Sequence, residues 1–223
     1  ELRLKIENSL KNNKSKKYFF EKDFNILKAE NSFIQYEDSQ GIIILPEPNI
    51  LGDHQLTNIS TSIAAARKLF NVKDQDVKIG ITKINLKGRL QEIKSGKLKK
   101  LVGSNRLICD GGHNINSSKA IARWITQQNQ EVHMIIGMMK DKDHRGFVEC
   151  FKDKVKSITL VDVPNQRGSI AKEDFIKKLN GIKQKINFAN NIKDSIQSMH
   201  IHQNSICLIT GSLYLVGEVL NLN

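Results

Sequence analysis

Cys109-Asp110-Gly111-Gly112-His113-Asn114, continuing into Ile115-Asn116-Ser117-Ser118-Lys119-Ala120-Ile121-Ala122-Arg123-Trp124, is the stretch from which the fold can be read. A short apolar run, Leu107 to Cys109, ends in a carboxylate. Two glycines then allow a sharp turn, and a His-Asn pair precedes apolar residues at helical spacing. This pattern predicts a strand, a tight loop and a helix. In an open parallel sheet, ligands sit outside the carboxyl ends of the strands, so Asp110 and His113 would project into a binding crevice. An ordinary turn with a helix cap would account for the same residues.

Outward from this stretch, strand-like and helix-like segments alternate. Strands are predicted over 107–109, 132–136, 157–161, 186–188 and 206–210, with helices over 117–127, near 146–151, and over 172–179 and 192–200. Alternation at this spacing predicts an α/β domain, a parallel sheet covered by helices. Upstream, residues 1–17 are Lys- and Asn-rich and read as a helix end followed by a surface loop. Short strands over 19–27, 32–36 and 41–45 suggest an antiparallel ribbon, and Pro46 and Pro48 break the chain after them. An amphipathic helix is predicted over 54–70 from Leu56, Ile59, Ile63, Ala66 and Leu69, and a shorter one over 74–83. The boundary falls near residue 86, with a complete α/β domain behind it and too little before it for a whole domain.

With 223 residues, 39% of them hydrophobic, the chain can build a real core, and no run approaches the roughly 18 apolar residues of a membrane span. No apolar signal-peptide region follows Glu1, so a cytoplasmic protein without membrane contact is expected. Cys109, Cys150 and Cys207 lack metal-ligand spacing and read as reduced core residues. The formal charge of +12 raises the question of a nucleic-acid partner, but lysine is spread through nearly every segment and aromatics make up only 6%. A generally basic surface is the simpler expectation, with anionic small molecules as beneficiaries and no nucleic acid.

Further motifs stand on either side of the opening stretch. Gly52-Asp53-His54-Gln55-Leu56-Thr57-Asn58 and Gly88-Arg89-Leu90-Gln91 lie upstream; Gly137-Met138-Met139-Lys140-Asp141-Lys142-Asp143 and Thr210-Gly211-Ser212-Leu213-Tyr214-Leu215-Val216-Gly217-Glu218-Val219 lie downstream. Together and in this order they resemble folylpolyglutamate synthase/dihydrofolate synthase, a branch of the Mur ligase superfamily. The resemblance implies a Rossmann-like carboxy-terminal Mur ligase domain over 86–223. It makes 1–85 the carboxy-terminal remnant of a central P-loop-type ATP-binding domain. Lys87, Gly112 and Ile115 depart from residues common in relatives, none of them removing a functional group.

The activity so implied is ATP-dependent amide ligation through an acyl phosphate, with folate, L-glutamate and ATP as substrates, and dihydropteroate as a further candidate. Such ligases carry a glycine-rich loop ending in Gly-Lys-Ser/Thr, which is not found in this sequence; Gly96-Lys97 lacks both the preceding glycine and the following hydroxyl. The resemblance puts the Mg2+ ligands in that other half and assigns no residue here to metal. Since the first residue is Glu1, a longer protein or gene is expected, with this fragment inactive alone.

Residue by residue, the resemblance assigns Asn58 to the adenine, Arg89 to the ATP phosphates and Asp110 to the ribose. Arg89 and His113 take the catalytic roles, His113 contacting nucleotide or incoming amino acid, or holding the loop. Lys142 and Ser212 are assigned to the glutamate carboxylate. A forked, permanently charged guanidinium suits phosphate, and a carboxylate suits two hydroxyls. A monomer is expected. Two other readings stay open: a Mur-type ligase using another amino-acid acceptor, and a stand-alone nucleotide-binding module.

Overall fold

The computed structural model describes residues 2–28, 33–182, 185–199 and 201–223. Ser32, the first residue of an expected strand, and His200, the last of an expected helix, lie outside the described residues. The chain divides into two compact units, Glu1–Glu47 with Leu56–Thr82, and Pro48–Gln55 with Lys83–Asn223.

In the first unit, helix α1 (Leu2–Ser9) precedes strands β1 (Phe24–Lys28), β2 (Phe33–Asp38) and β3 (Gly41–Pro46), which pair antiparallel in the order β1-β2-β3. Helices α2 (Asp53–Leu69) and α3 (Asp74–Thr82) follow, α3 packing against β3. Side chains alternate across the pleat, so Phe24, Ile26, Ile34, Tyr36, Ile43 and Leu45 are buried on one face while Leu27, Phe33, Ile42 and Ile44 stay exposed on the other.

The second unit opens with the two-residue strand β4 (Gln91–Glu92) and α4 (Lys97–Val102). There follow β5 (Arg106–Asp110), α5 (Ile115–Thr126), β6 (Val132–Ile136), α6 (His144–Glu149), β7 (Ser157–Leu160), α7 (Lys172–Lys178), β8 (Ile186–Phe188), α8 (Ile192–Ser198), β9 (Ile206–Thr210) and α9 (Leu213–Leu222). The sheet order is β4-β5-β9-β6-β7-β8, parallel throughout except for β4. β4 and α4 are too short to leave a periodic signature in the sequence.

Strands β5, β6, β7 and β9 are buried almost without interruption because helices cover both faces of the sheet. Ile108, Met134, Ile136 and Leu208 point to one core, filled from α5, α6 and α7 by Ile121, Trp124, Phe147 and Phe175, and by Phe151 just past α6. Leu107, Cys109, Ile135, Cys207 and Ile209 point to the other, filled from α4, α8 and α9 by Leu98, Ile192, Ile196, Leu215 and Val219. Cys109 and Cys207 are thus buried free thiols, while Cys150 is only partly covered. No helix among the described residues is long and apolar enough to cross a membrane.

One consequence of this topology positions the site. Adjacent strands β5 and β9 are followed by helices on opposite faces, α5 in the first core and α9 in the second. The loops leaving the two strands therefore diverge, opening a crevice at their carboxyl ends, the switch point where ligands bind in open α/β sheets.

Candidate active site

Asp110 is the last residue of β5 and only 4% exposed. Its Oδ2 accepts from the Leu90 amide at 2.8 Å and its Oδ1 from the Gly112 amide at 2.7 Å. Leu90 is itself buried and holds φ near 43°, a left-handed conformation uncommon for a leucine. The carboxylate therefore ties the strand end to the turn that carries Arg89, a structural duty the sequence did not reveal. Burial pushes Asp110 above the usual carboxylate range; the two amide bonds, and after them the charges of Arg89 and His54, pull it back. Each oxygen keeps a second lone pair for a ligand hydroxyl.

Arg89 lies half-buried beside Gly111, where an added Cβ would come within 3.2 Å of its Nη1. Its Nη1 donates weakly to the Gly88 carbonyl at 3.2 Å. His54 belongs to the same electrostatic group, its pKa lowered by burial against the opposing pull of Asp110. The sequence quartet Gly52 to Gln55 flagged this neighbourhood without singling out the imidazole. An added Cβ at Gly52 would fall 2.7 Å from His54 Cε1 and 3.2 Å from Leu90 Cδ1. Only glycine lets that ring pack there.

His113 is held by Nδ1 to the Gly111 carbonyl at 2.9 Å. A carbonyl only accepts, so the neutral ring carries its proton on Nδ1 and keeps its lone pair on Nε2. Asn114 then caps α5, its side chain accepting from Ser117 N while Ser117 Oγ accepts from Asn114 N. This reciprocal cap, together with the helically spaced stripe Ile121, Ala122, Trp124 and Ile125, fixes where the loop ends.

Across the crevice Ser212 caps α9, Oγ accepting from Tyr214 N at 3.1 Å, and is 3% exposed. Its hydroxyl proton remains to be donated, whereas the Tyr214 amide at the helix start is already engaged. Lys142 follows β6 on a tight turn and pairs with Asp141 at 2.6 Å. An exposed pair between sequence neighbours is well screened, so a better-placed carboxylate can displace Asp141.

The glycines of the motifs hold these loops together. Gly111 N donates to Gly88 O at 2.8 Å, Gly211 N to Gly112 O at 3.0 Å and Gly137 N to Thr210 O at 3.2 Å. A Cβ on Gly211 would meet the Gly137 carbonyl oxygen at 2.7 Å, and the residue sits at φ near 106°. Gly211→Ala should therefore lose roughly 1–3 kcal/mol to backbone strain, with the clash added. Urea unfolding of the purified variant checks this, and an unchanged midpoint would show that the two loops separate easily.

Arg89, Asp110, His113, Lys142 and Ser212 thus all belong to the second unit and to loops at the carboxyl end of its sheet, with His54 added by the structure. Asn58 belongs to the first unit, exposed on α2. A groove of about 440 Å³ in that unit, lined by Tyr18, Asp23, Phe24, Glu37, Asp38 and Ile42 among others, contains none of these residues. Among the described residues no three His, Cys, Asp or Glu side chains gather as they would around a metal ion.

Residues 88–213 match the family model described as Mur ligase, glutamate ligase domain. The chain is 27% identical over 170 residues to a dihydrofolate synthase/folylpolyglutamate synthase of Buchnera aphidicola, a match covering 73% of this chain and 38% of that protein. It is 24% identical over 215 residues to the folylpolyglutamate synthase of Lacticaseibacillus casei, covering 90% and 46%. Its fold matches, with a TM-score of 0.79 and 16% identity, a bifunctional folylpolyglutamate synthase/dihydrofolate synthase from Yersinia pestis complexed with AMPPNP and a manganese ion, covering 98% of this chain and 50% of that one. The chain spans about half the length, or less, of the relatives it matches.

Proposed function

Since the chain belongs to the family of Mur ligase glutamate ligase domains, we propose that it is the glutamate-accepting part of an ATP-dependent ligase that extends folates with L-glutamate. Residues 86–223 form that domain in this reading, and residues 1–85 the end of the ATP-binding domain. The observation that carries the proposal is the convergence, at one switch-point crevice, of a half-buried arginine, a buried carboxylate and a separate lysine-bearing loop. Its cationic and hydroxyl groups suit a triphosphate and an amino-acid carboxylate, and the similarity to ligases of this activity supplies the substrates.

In the reaction the γ-phosphoryl group passes from ATP to a folate carboxylate, and the glutamate amine attacks the acyl phosphate, releasing phosphate and leaving ADP. Arg89 neutralises charge on the phosphates, and Asp110 accepts from the ribose through its remaining lone pairs. Lys142 and the Ser212 hydroxyl hold the glutamate carboxylate. His113, with its lone pair on Nε2, is the group suited to take a proton from the incoming ammonium. Asn58 contacts the adenine. The divalent cation would neutralise the phosphates, with ligands in the phosphate-loop half rather than on these residues.

The test is a split in Michaelis constants, measured with the chain joined to a phosphate-loop half. Lys142→Ala should raise the KM for glutamate about tenfold with little change for ATP. Asp110→Asn should raise the KM for ATP instead. Asparagine is the milder choice, because its one side-chain oxygen still accepts from one of the two buried amides where alanine accepts from neither; its NH2 faces the other amide, so the unfolding midpoint is measured alongside. Equal effects of both variants on both substrates would remove the assigned partners.

A further inference from the structure

Met139 O accepts two hydrogen bonds, one from the Lys142 backbone amide at 3.3 Å and one from the His144 imidazole Nε2 at 3.0 Å. The turn that presents Lys142 is therefore closed on a carbonyl that a side chain from α6 also grips. The stretch before the turn is anchored elsewhere, Lys140 N donating to Gly168 O and Ile170 N to Met138 O. His144 is 2% exposed and meets Phe175 of α7 edge-on, with ring centroids 4.9 Å apart. Its other nitrogen, Nδ1, faces the Lys178 ammonium of α7 at 3.5 Å.

These contacts leave the imidazole one workable state. Met139 O only accepts, so Nε2 carries the proton; Lys178 only donates, so Nδ1 must offer its lone pair. A second proton, on Nδ1, would set two cations against each other in a buried place. The bond to Met139 O, and after it the charges of Asp143 and Asp141, favour the charged ring, but burial and Lys178 outweigh them and the ring titrates below its ordinary range.

We propose that His144 is a positioning residue for the amino-acid subsite: through Met139 O it holds the turn that presents Lys142. This rests on the reading of Lys142 as a glutamate contact. It adds a residue outside the motifs.

The experiment uses the 223-residue chain labelled with 15N, with L-glutamate as the probe. Three readouts are taken: the ring nitrogen shifts of His144, the hydrogen-exchange protection of the Lys142 amide, and the Kd for glutamate from about pH 8 to about pH 5. In the unmodified chain the ring should carry its proton on Nε2, and the Lys142 amide should be protected. His144→Gln, whose amide can still donate to Met139 O, should keep both protection and affinity. His144→Phe should lose protection and bind glutamate about three- to tenfold more weakly. Lys178→Met, at an exposed position away from the motifs, removes a charge that holds the imidazole pKa down, so the ring should take up its second proton at a higher pH.

Unchanged Lys142 protection in His144→Phe, or its loss in His144→Gln, overturns the proposal. Should His144→Phe fail to fold, the ring nitrogen shifts of the unmodified chain decide it, and a proton on Nδ1 in place of Nε2 overturns it. If the unmodified chain binds no glutamate while Lys142 protection behaves as stated, the positioning role stands and the glutamate assignment of Lys142 falls.

Discussion

Purified as its 223 residues, the chain should couple no glutamate to a folate, however much ATP is supplied. Phosphoryl transfer depends on positioning and on donors already aimed at the transferring group, and losing one such donor alone commonly costs on the order of a hundredfold. A Gly-Lys-Ser/Thr loop would supply several amides and a lysine at once. The glycine-rich loops present here cannot replace it, since their backbone donors point inward. Gly111 N bonds Gly88 O, Gly112 N bonds Asp110 Oδ1, Gly137 N bonds Thr210 O and Gly211 N bonds Gly112 O. These glycines are packing devices at the switch point, and the cationic group left for phosphates on the Gly88–Gln91 turn is Arg89. Incorporation of labelled glutamate into a folate by this chain alone, above a background without ATP, would refute the division of labour proposed for the two halves.

Residues with strong local signatures told the fold, and residues whose duty depends on distant partners did not. The β5–α5 unit was legible because each step has a local cause: an apolar run, two glycines, a capping asparagine and a helical stripe. The parallel sheet followed from repetition of that pattern. The opposite cases are β4, which exists only by pairing Gln91 with Cys109 and Glu92 with Ile108, and α4, six residues held by packing on α8. Asp110 was legible as a carboxylate at a strand end. That both its oxygens engage amides twenty residues upstream and two downstream depends on Leu90 entering a left-handed conformation, which no propensity predicts. Likewise His54 and His144 sit inside or beside quoted motifs, yet their importance lies in Asp110, Arg89, Met139 O and Lys178. Those partners meet them only in the folded chain.

In a ligase completed with its phosphate-loop half, Arg89→Ala should lower kcat about a hundredfold or more while the protein stays folded. The side chain is only half-buried, and its bond to Gly88 O, at 3.2 Å, is weak, so few packing contacts go with it. The turn beneath it is secured without it, by Leu90 N on Asp110 and by Gly88 N on Gln91 Oε1. What disappears is a permanent charge with five donors in a fixed fork, which the proposed function puts where negative charge accumulates as the acyl phosphate forms. Arg89→Lys should recover part of the rate, because a point charge neutralises phosphate but cannot reproduce the fork. A second consequence follows from the neighbouring carboxylate. Arg89 opposes the upward push of burial on Asp110, so its loss should raise the pH below which that carboxyl takes a proton and releases its grip as an acceptor. The residual activity of Arg89→Ala should therefore fall away at a higher pH on the acid side than that of the unmodified ligase. A folded Arg89→Ala variant with unaltered kcat would return Arg89 to the general basic surface. An unaltered acid limb with a depressed kcat would leave its phosphate role intact and remove only its hold on Asp110.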